Sequence, residues 1–282
     1  MEIVTKIAPI ALALIMLGLG LGLSTKNFLR ILNHPKDFIL GLTCQLILLP
    51  IVAYTIVSIF NTPIEIAIGV MIIAAAPGGV TSNVMTKFAK GDVALSVTLT
   101  AVISLISIIS VPFVVFNAVN FLGTTNISKE VSLTGVALKM AGVVTVPVII
   151  GMIIRNFFEK FISLNINFID KITGLLFLIV FAAIWIEERE NILSYLYQSG
   201  IIVLTLNIAM MLIAYFIAKS FASGIPQVKC IAIECGLQNG TLAVFVATQL
   251  FDEIIYIVPT ASYALMMYIT GFIFVYILRK SN

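Results

Sequence analysis

Of the 282 residues, 61% are hydrophobic and only 10% are charged, whereas an average soluble domain carries about 25% charged residues. A water-soluble fold of this length cannot hide so much apolar surface, so the composition points to an exterior that faces lipid. The net charge of +3 comes without a long basic run, which argues against nucleic acid as a partner.

A spanning helix needs about 20 mostly apolar residues, and nine segments qualify: 5–23, 38–59, 65–88, 93–117, 132–154, 171–187, 199–218, 229–251 and 257–278. The first is followed at once by further spans and is longer than a cleavable signal core, so it reads as a true span. Polar stretches at 24–37, 155–170 and 118–131 read as short amphipathic helices in the interface. The single histidine, His34, falls in the first of these as a solvated residue. With short connections throughout, residues 1–282 form one integral membrane domain.

The second segment carries Gln45 alone among apolar neighbours, and a buried amide there needs a partner. The third contains Pro77-Gly78-Gly79, followed by Thr81, Ser82 and Asn83. Proline removes a backbone donor and the glycines weaken the helix, so this span is predicted to be discontinuous rather than merely kinked. Asp92 caps the start of the fourth. There Ser96 and Thr100, four residues apart, present both hydroxyls on one face, with Thr98 nearby. The eighth segment crowds Glu234, Gln238, Asn239 and Thr241 between Gly236 and Gly240. An acid at mid-span costs about 2.5–3.5 kcal/mol on insertion scales, which marks it as functional. The cysteines Cys44, Cys230 and Cys235 read as small buried residues.

Twelve of the sixteen Lys and Arg residues fall on one face: Lys26, Arg30, Lys36, Lys87, Lys90, Arg155, Lys160, Lys171, Lys219, Lys229, Arg279 and Lys280. Lys6, Lys129, Lys139 and Arg189 lie on the other, with the acids Glu187, Glu188, Glu190, Asp252 and Glu253. This places the C-terminus in the cytoplasm and, with an odd number of spans, the N-terminus outside a plasma or inner membrane. The triplet Asn126-Ile-Ser128 then lies outside, and nothing is drawn from it.

The third and eighth segments are five spans apart and so run in opposite directions, as an inverted repeat requires. In such transporters the broken helices meet near the midplane, where half-helix N-termini face anions and unwound carbonyls hold cations. One carboxylate with several amides and hydroxyls suits a hard cation such as sodium better than a transition metal.

The run Pro77-Gly78-Gly79-Val80-Thr81-Ser82-Asn83-Val84-Met85-Thr86, with Ala89-Lys90-Gly91-Asp92-Val93-Ala94-Leu95-Ser96, resembles the bile acid:sodium symporter family. So does Glu234-Cys235-Gly236-Leu237-Gln238-Asn239. The resemblance implies an all-α fold of about nine spans, with two discontinuous helices crossing in a core built around 38–117 and parts of 199–278. The remaining spans would form a panel. It implies two sodium ions. One site would use Ser82, Asn83, Ser96, Thr100 and Glu234; the other would use Gln45, Glu234, Gln238 and carbonyls at Cys235 and Leu237. Substrate would lie between core and panel near Thr81, Ser82, Asn83, Asn239 and Gly240.

Two departures stand out. Some members have ten spans, and this chain begins at what would be their second. Cys235 also stands where an aliphatic residue can occur. The expected function is sodium-coupled symport of a small organic anion by alternating access, with no obligate protein partner and no enzymatic role. A proton-coupled or uncoupled carrier is the alternative. Arsenite exporters share the architecture, but segment 65–88 lacks the cysteine expected of them. No intramembrane histidine or GxSxG motif supports an enzyme. Bile acids, pantoate-like acids and other anions all remain candidate substrates, since no intramembrane arginine offers a clamp and Lys139 reads as a snorkelling residue.

Overall fold

The computed structural model describes residues 2–23, 35–122, 133–187, 189–190, 192–251 and 253–280. Outside them lie most of the interfacial stretch at 24–37, with Lys26, Arg30 and His34, and most of the one at 118–131, with the Asn126 triplet and Lys129. Glu188 and Asp252 also lie outside. The described residues are helical throughout, joined by short turns, and belong to an integral membrane protein.

Helix α1 spans Glu2–Gly22. α2 runs Pro35–Ile59 and contains a π turn at Cys44–Leu48. The third segment is two helices, α3 (Ile64–Ala75) and α4 (Val80–Phe88). α5 is Val93–Leu122. α6 covers 133–157, with a π turn at Ala141–Thr145. α7 is Glu159–Glu187 and α8 is Ile192–Phe221. The eighth segment is again two helices, α9 (Ile225–Gly236) and α10 (Gly240–Leu250). α11 is Val258–Lys280.

Both π turns sit just ahead of a proline, Pro50 and Pro147. A proline inside a helix has no N–H and crowds the preceding turn, and one extra residue in that turn relieves the conflict. In α2 the widened turn includes Gln45, the lone amide of that span.

The stretch 155–170 is not a separate interfacial helix. α6 ends at Phe157, and α7 begins at Glu159 and continues without a break into the span. From 159 to 171 there is neither glycine nor proline to stop it, and polarity alone does not end a helix.

α1 packs on α6 and α7, while α8 packs on α9 and α11. The first contact is made backbone to backbone. A side chain at Gly20 would strike Val148 O, and one at Gly151 would strike Leu17 O. Small residues of this kind let membrane helices approach closely where lipid supplies no hydrophobic drive. The outward faces of the bundle are apolar, as with Ile109, Phe121 and Phe216, which is the surface a bilayer requires.

Candidate functional site

The two interruptions meet. Ala76–Gly79 and Leu237–Asn239 run antiparallel, with Gly78 opposite Gln238. Gly79 N donates to Leu237 O at 2.8 Å, and Asn239 N donates to Pro77 O at 2.8 Å. Each break thereby supplies the partners that the other lost on leaving its helix, which is what permits non-helical backbone at membrane depth. The turn after α4 adds a second link. Asp92 N donates to Pro226 O at 2.9 Å, and Gln227 Nε2 donates to Asp92 Oδ2 at 2.8 Å. The other Asp92 oxygen accepts from Leu95 N at 3.0 Å and so caps α5.

Glu234, in the last turn of α9, is 0% exposed and sits directly under this crossing. A Cβ at Gly78 would lie 2.4 Å from Glu234 Oε2, so only glycine allows the strand to pass over the carboxylate. Ser82 Oγ lies 2.5 Å from Glu234 Oε1 and 2.6 Å from Gly79 O. Ser96 Oγ contacts the same Glu234 oxygen and lies 2.7 Å from Asn83 Oδ1. Thr100 Oγ1 donates to Glu234 Oε2 at 3.0 Å. These five oxygen–oxygen contacts share three hydroxyl protons, or four with Glu234 protonated. Each hydroxyl has a single proton to donate, so the cluster holds more close oxygens than protons to join them. A cation with oxygen ligands satisfies such a cluster without protons.

On the other side of Glu234, Gln45 Nε2 donates to Glu234 O at 2.7 Å, and Gln238 Nε2 donates to Cys235 O at 3.0 Å. The carbonyl oxygens of both amides, Gln45 Oε1 and Gln238 Oε1, are buried without a hydrogen-bond partner. An unmatched buried acceptor costs about 1–3 kcal/mol, so each of the two calls for a further partner. Leu237 O accepts from Gly79 N at the crossing and keeps a second lone pair, and the Cys235 thiol meets that of Cys44.

The structure therefore draws Ser82, Asn83, Ser96 and Thr100 together around the Glu234 carboxylate, and Gln45, Gln238, Cys235 and Leu237 around its backbone. The expected substrate residues divide. Thr81, Asn83 and Asn239 line a cavity of about 620 Å³ between α1, α4, α5, α7 and α10. Ser82 turns instead into the carboxylate cluster, and Gly240 lies against Thr260 and Ala264 of α11.

One group of residues escaped the sequence reading. Asn207 Nδ2 and Tyr263 Oη both donate to Gly236 O, at 2.7 and 2.9 Å, where α9 ends. Thr270 Oγ1 in turn donates to Asn207 Oδ1 at 2.5 Å. The available signal was Asn207, an isolated amide within an apolar span.

The family model described as the sodium bile acid symporter family matches residues 9–195. An uncharacterized sodium-dependent transporter of Bacillus subtilis, YocS, is 30% identical over 269 residues, 93% of this chain and 79% of that protein. Two plant proteins are described as probable chloroplastic sodium/metabolite cotransporters. BASS2 of rice is 27% identical over 95% of this chain and 62% of its own length. BASS1 of Arabidopsis thaliana is 28% identical over 89% of this chain and 61% of its own length. The matched stretch 9–195 contains the first break but stops before the second.

Proposed function

This chain belongs to the sodium bile acid symporter family, a family of transporters rather than enzymes, and we propose that it couples the entry of sodium to that of a small organic anion. One sodium would be held by Ser82, Asn83, Ser96, Thr100 and Glu234. A second would be held by Gln45, Gln238, Glu234 and the carbonyls of Cys235 and Leu237. The observation that carries this reading is the mismatch between acceptors and protons around Glu234. Relatives named as sodium-dependent support the choice of ion.

Both sites draw ligands from α4 or α2 on one side and α9 on the other. Cations would therefore fix the crossing in one arrangement and neutralise the buried carboxylate. The cavity floor then becomes a place for an anion, because α4 begins there without a side-chain cap and the N–H groups ahead of Ser82, whose own N–H donates to Gly79 O, have no intrahelical partner. Transport follows if α2–α5 with α8–α11 move as a core against a panel of α1, α6 and α7. The basic face, with the C-terminus, would be cytoplasmic. Sodium binding one state better than the other supplies the coupling. The membrane potential contributes about 2.3 kcal/mol per charge per 100 mV.

The test is the melting temperature of the purified protein in NaCl and in KCl at matched ionic strength, for the wild type and Glu234→Gln. A ligand at about 100 times its dissociation constant stabilises by about 2.7 kcal/mol. The expected result is a sodium-specific rise that the variant loses. Equal curves in the two salts would overturn sodium coupling and point to proton coupling through Glu234.

A further inference from the structure

The two ends of the cavity differ in character. At the floor, Asn239 and Gln238 are buried beside the start of α4. At the mouth stand two exposed lysines from opposite walls, Lys87 on α4 and Lys171 on α7. Between them the lining is mainly aliphatic, as with Leu19 and Val97.

The lysines are placed by helix periodicity. Val80, Asn83, Val84 and Lys87 recur on one face of α4, and Asn167, Lys171 and Gly174 on one face of α7. All seven line the cavity. Among the described residues, these two are the only basic side chains in the lining, and no Asp or Glu joins them there. A general excess of cytoplasmic lysine explains their sign but not their convergence on one cleft.

The half-helix N-termini also differ. α10 is capped from within, since Asn239 Oδ1 accepts from Leu242 N at 3.0 Å. α4 has no such cap and opens into the cavity. An anionic group of the substrate can serve as the missing cap, leaving the lysines for a second one.

We propose that the cleft selects dianions: one acidic group seats at the start of α4, and a second bridges Lys87 and Lys171 at the mouth. Seven residues of α4 separate Val80 from Lys87, about 10 Å along the axis, and the lysine side chain leans back towards the floor. The two acidic groups should therefore stand roughly 5–8 Å apart, joined by a short apolar body. Without substrate, two like charges line one cleft with no anion between them. A bridging anion pairs with both and draws α4 and α7 together. The inference rests on the reading of this cleft as the substrate path.

The experiment compares succinate, glutarate, adipate and suberate with hexanoate as the monoacid. Each is titrated against melting temperature in NaCl and in KCl. The proteins are the wild type, Lys87→Gln, Lys171→Gln and, as a control lysine outside the cavity, Lys219→Gln. Glutarate or adipate should act at about tenfold lower concentration than hexanoate, as a single charge-assisted contact would give. Lys87→Gln and Lys171→Gln should each erase that preference, while Lys219→Gln keeps it. A sodium-specific rise with no dianion preference in the wild type would overturn the two-lysine site and leave sodium coupling standing. So would a preference that survives in both cavity variants. A lysine-dependent preference equal in the two salts would support the site and overturn sodium coupling instead.

Discussion

The two broken helices solve one problem by opposite means. The first is broken by its own backbone, because Pro77 cannot donate and Gly78 and Gly79 add no side chains. The second contains no proline in its break and is held open from outside. Asn207 and Tyr263 bind the last carbonyl of α9, and Asn239 caps the first turn of α10. The first break thus gives space and an uncapped N-terminus, and the second gives rigidity. Space is needed where the strand passes over Glu234, and rigidity where that glutamate is attached.

The sharpest way to break the comparison is Gly78→Ala. The backbone there is not left-handed, so the demand is purely for room. An added methyl must displace either the Glu234 carboxylate or the crossing strand, and overpacking of this kind costs typically 1–3 kcal/mol. Both proposed cation sites depend on that geometry. Sodium-specific stabilisation should vanish in a salt titration, while the variant still inserts and purifies.

The next effects separate the two sites. Thr100→Val removes one hydroxyl from the carboxylate cluster, and Gln45→Ala removes one of the unpartnered carbonyl oxygens. If two sodium ions bind, each variant should weaken the response to sodium and flatten its concentration dependence towards that of a single ion. Steepness equal to the wild type in both variants would argue for one ion.

Much of this site was legible because its parts are rare in apolar helices. Proline beside two glycines, a lone carboxylate and hydroxyls at helical spacing each stand out without any knowledge of the fold. The pairing of Gly78 with Gln238 is different, since it depends on backbone groups 160 residues apart that carry no side-chain signature. The same holds for Asn207 and Tyr263, whose common target is a carbonyl. The start of α7 differs for a further reason: by composition 155–170 reads as a separate interfacial helix, whereas from Glu159 onward only the composition changes and one helix continues. The cavity lysines were visible as charges, but their convergence needed the packing of α4 against the cleft that α7 closes.

The external support of α9 is open to a graded test. Asn207→Ala leaves Gly236 O with the tyrosine alone and Thr270 with Met266 O as its acceptor. It should cost about 1–3 kcal/mol, because it removes the bonds to Gly236 O, Tyr263 Oη and Thr270 Oγ1 together at about 0.5–1.5 kcal/mol each. Tyr263→Phe removes one donor and leaves the other, so the loss should fall near 0.5–1.5 kcal/mol. Both should lower the melting temperature in NaCl and KCl alike, because neither residue touches the Glu234 carboxylate. A loss confined to NaCl would mean that the brace acts through the cation sites rather than on the fold.

The smallest effect sharpens the contrast between the two N-termini. Asn239→Ala removes the internal cap of α10, which typically costs about 1 kcal/mol, and leaves Leu242 N, next to the lining residue Thr241, without its side-chain acceptor. α10 then acquires the property that α4 already has, an uncapped start beside the cavity. If the anion is held by such a start, the variant should be less stable alone yet gain more from a bound anion than the wild type does. Thermal titration with glutarate in NaCl measures both quantities. A variant that loses stability and anion response together would show instead that the Asn239 side chain contacts the anion directly, so that the second break takes part in substrate binding rather than serving as a brace.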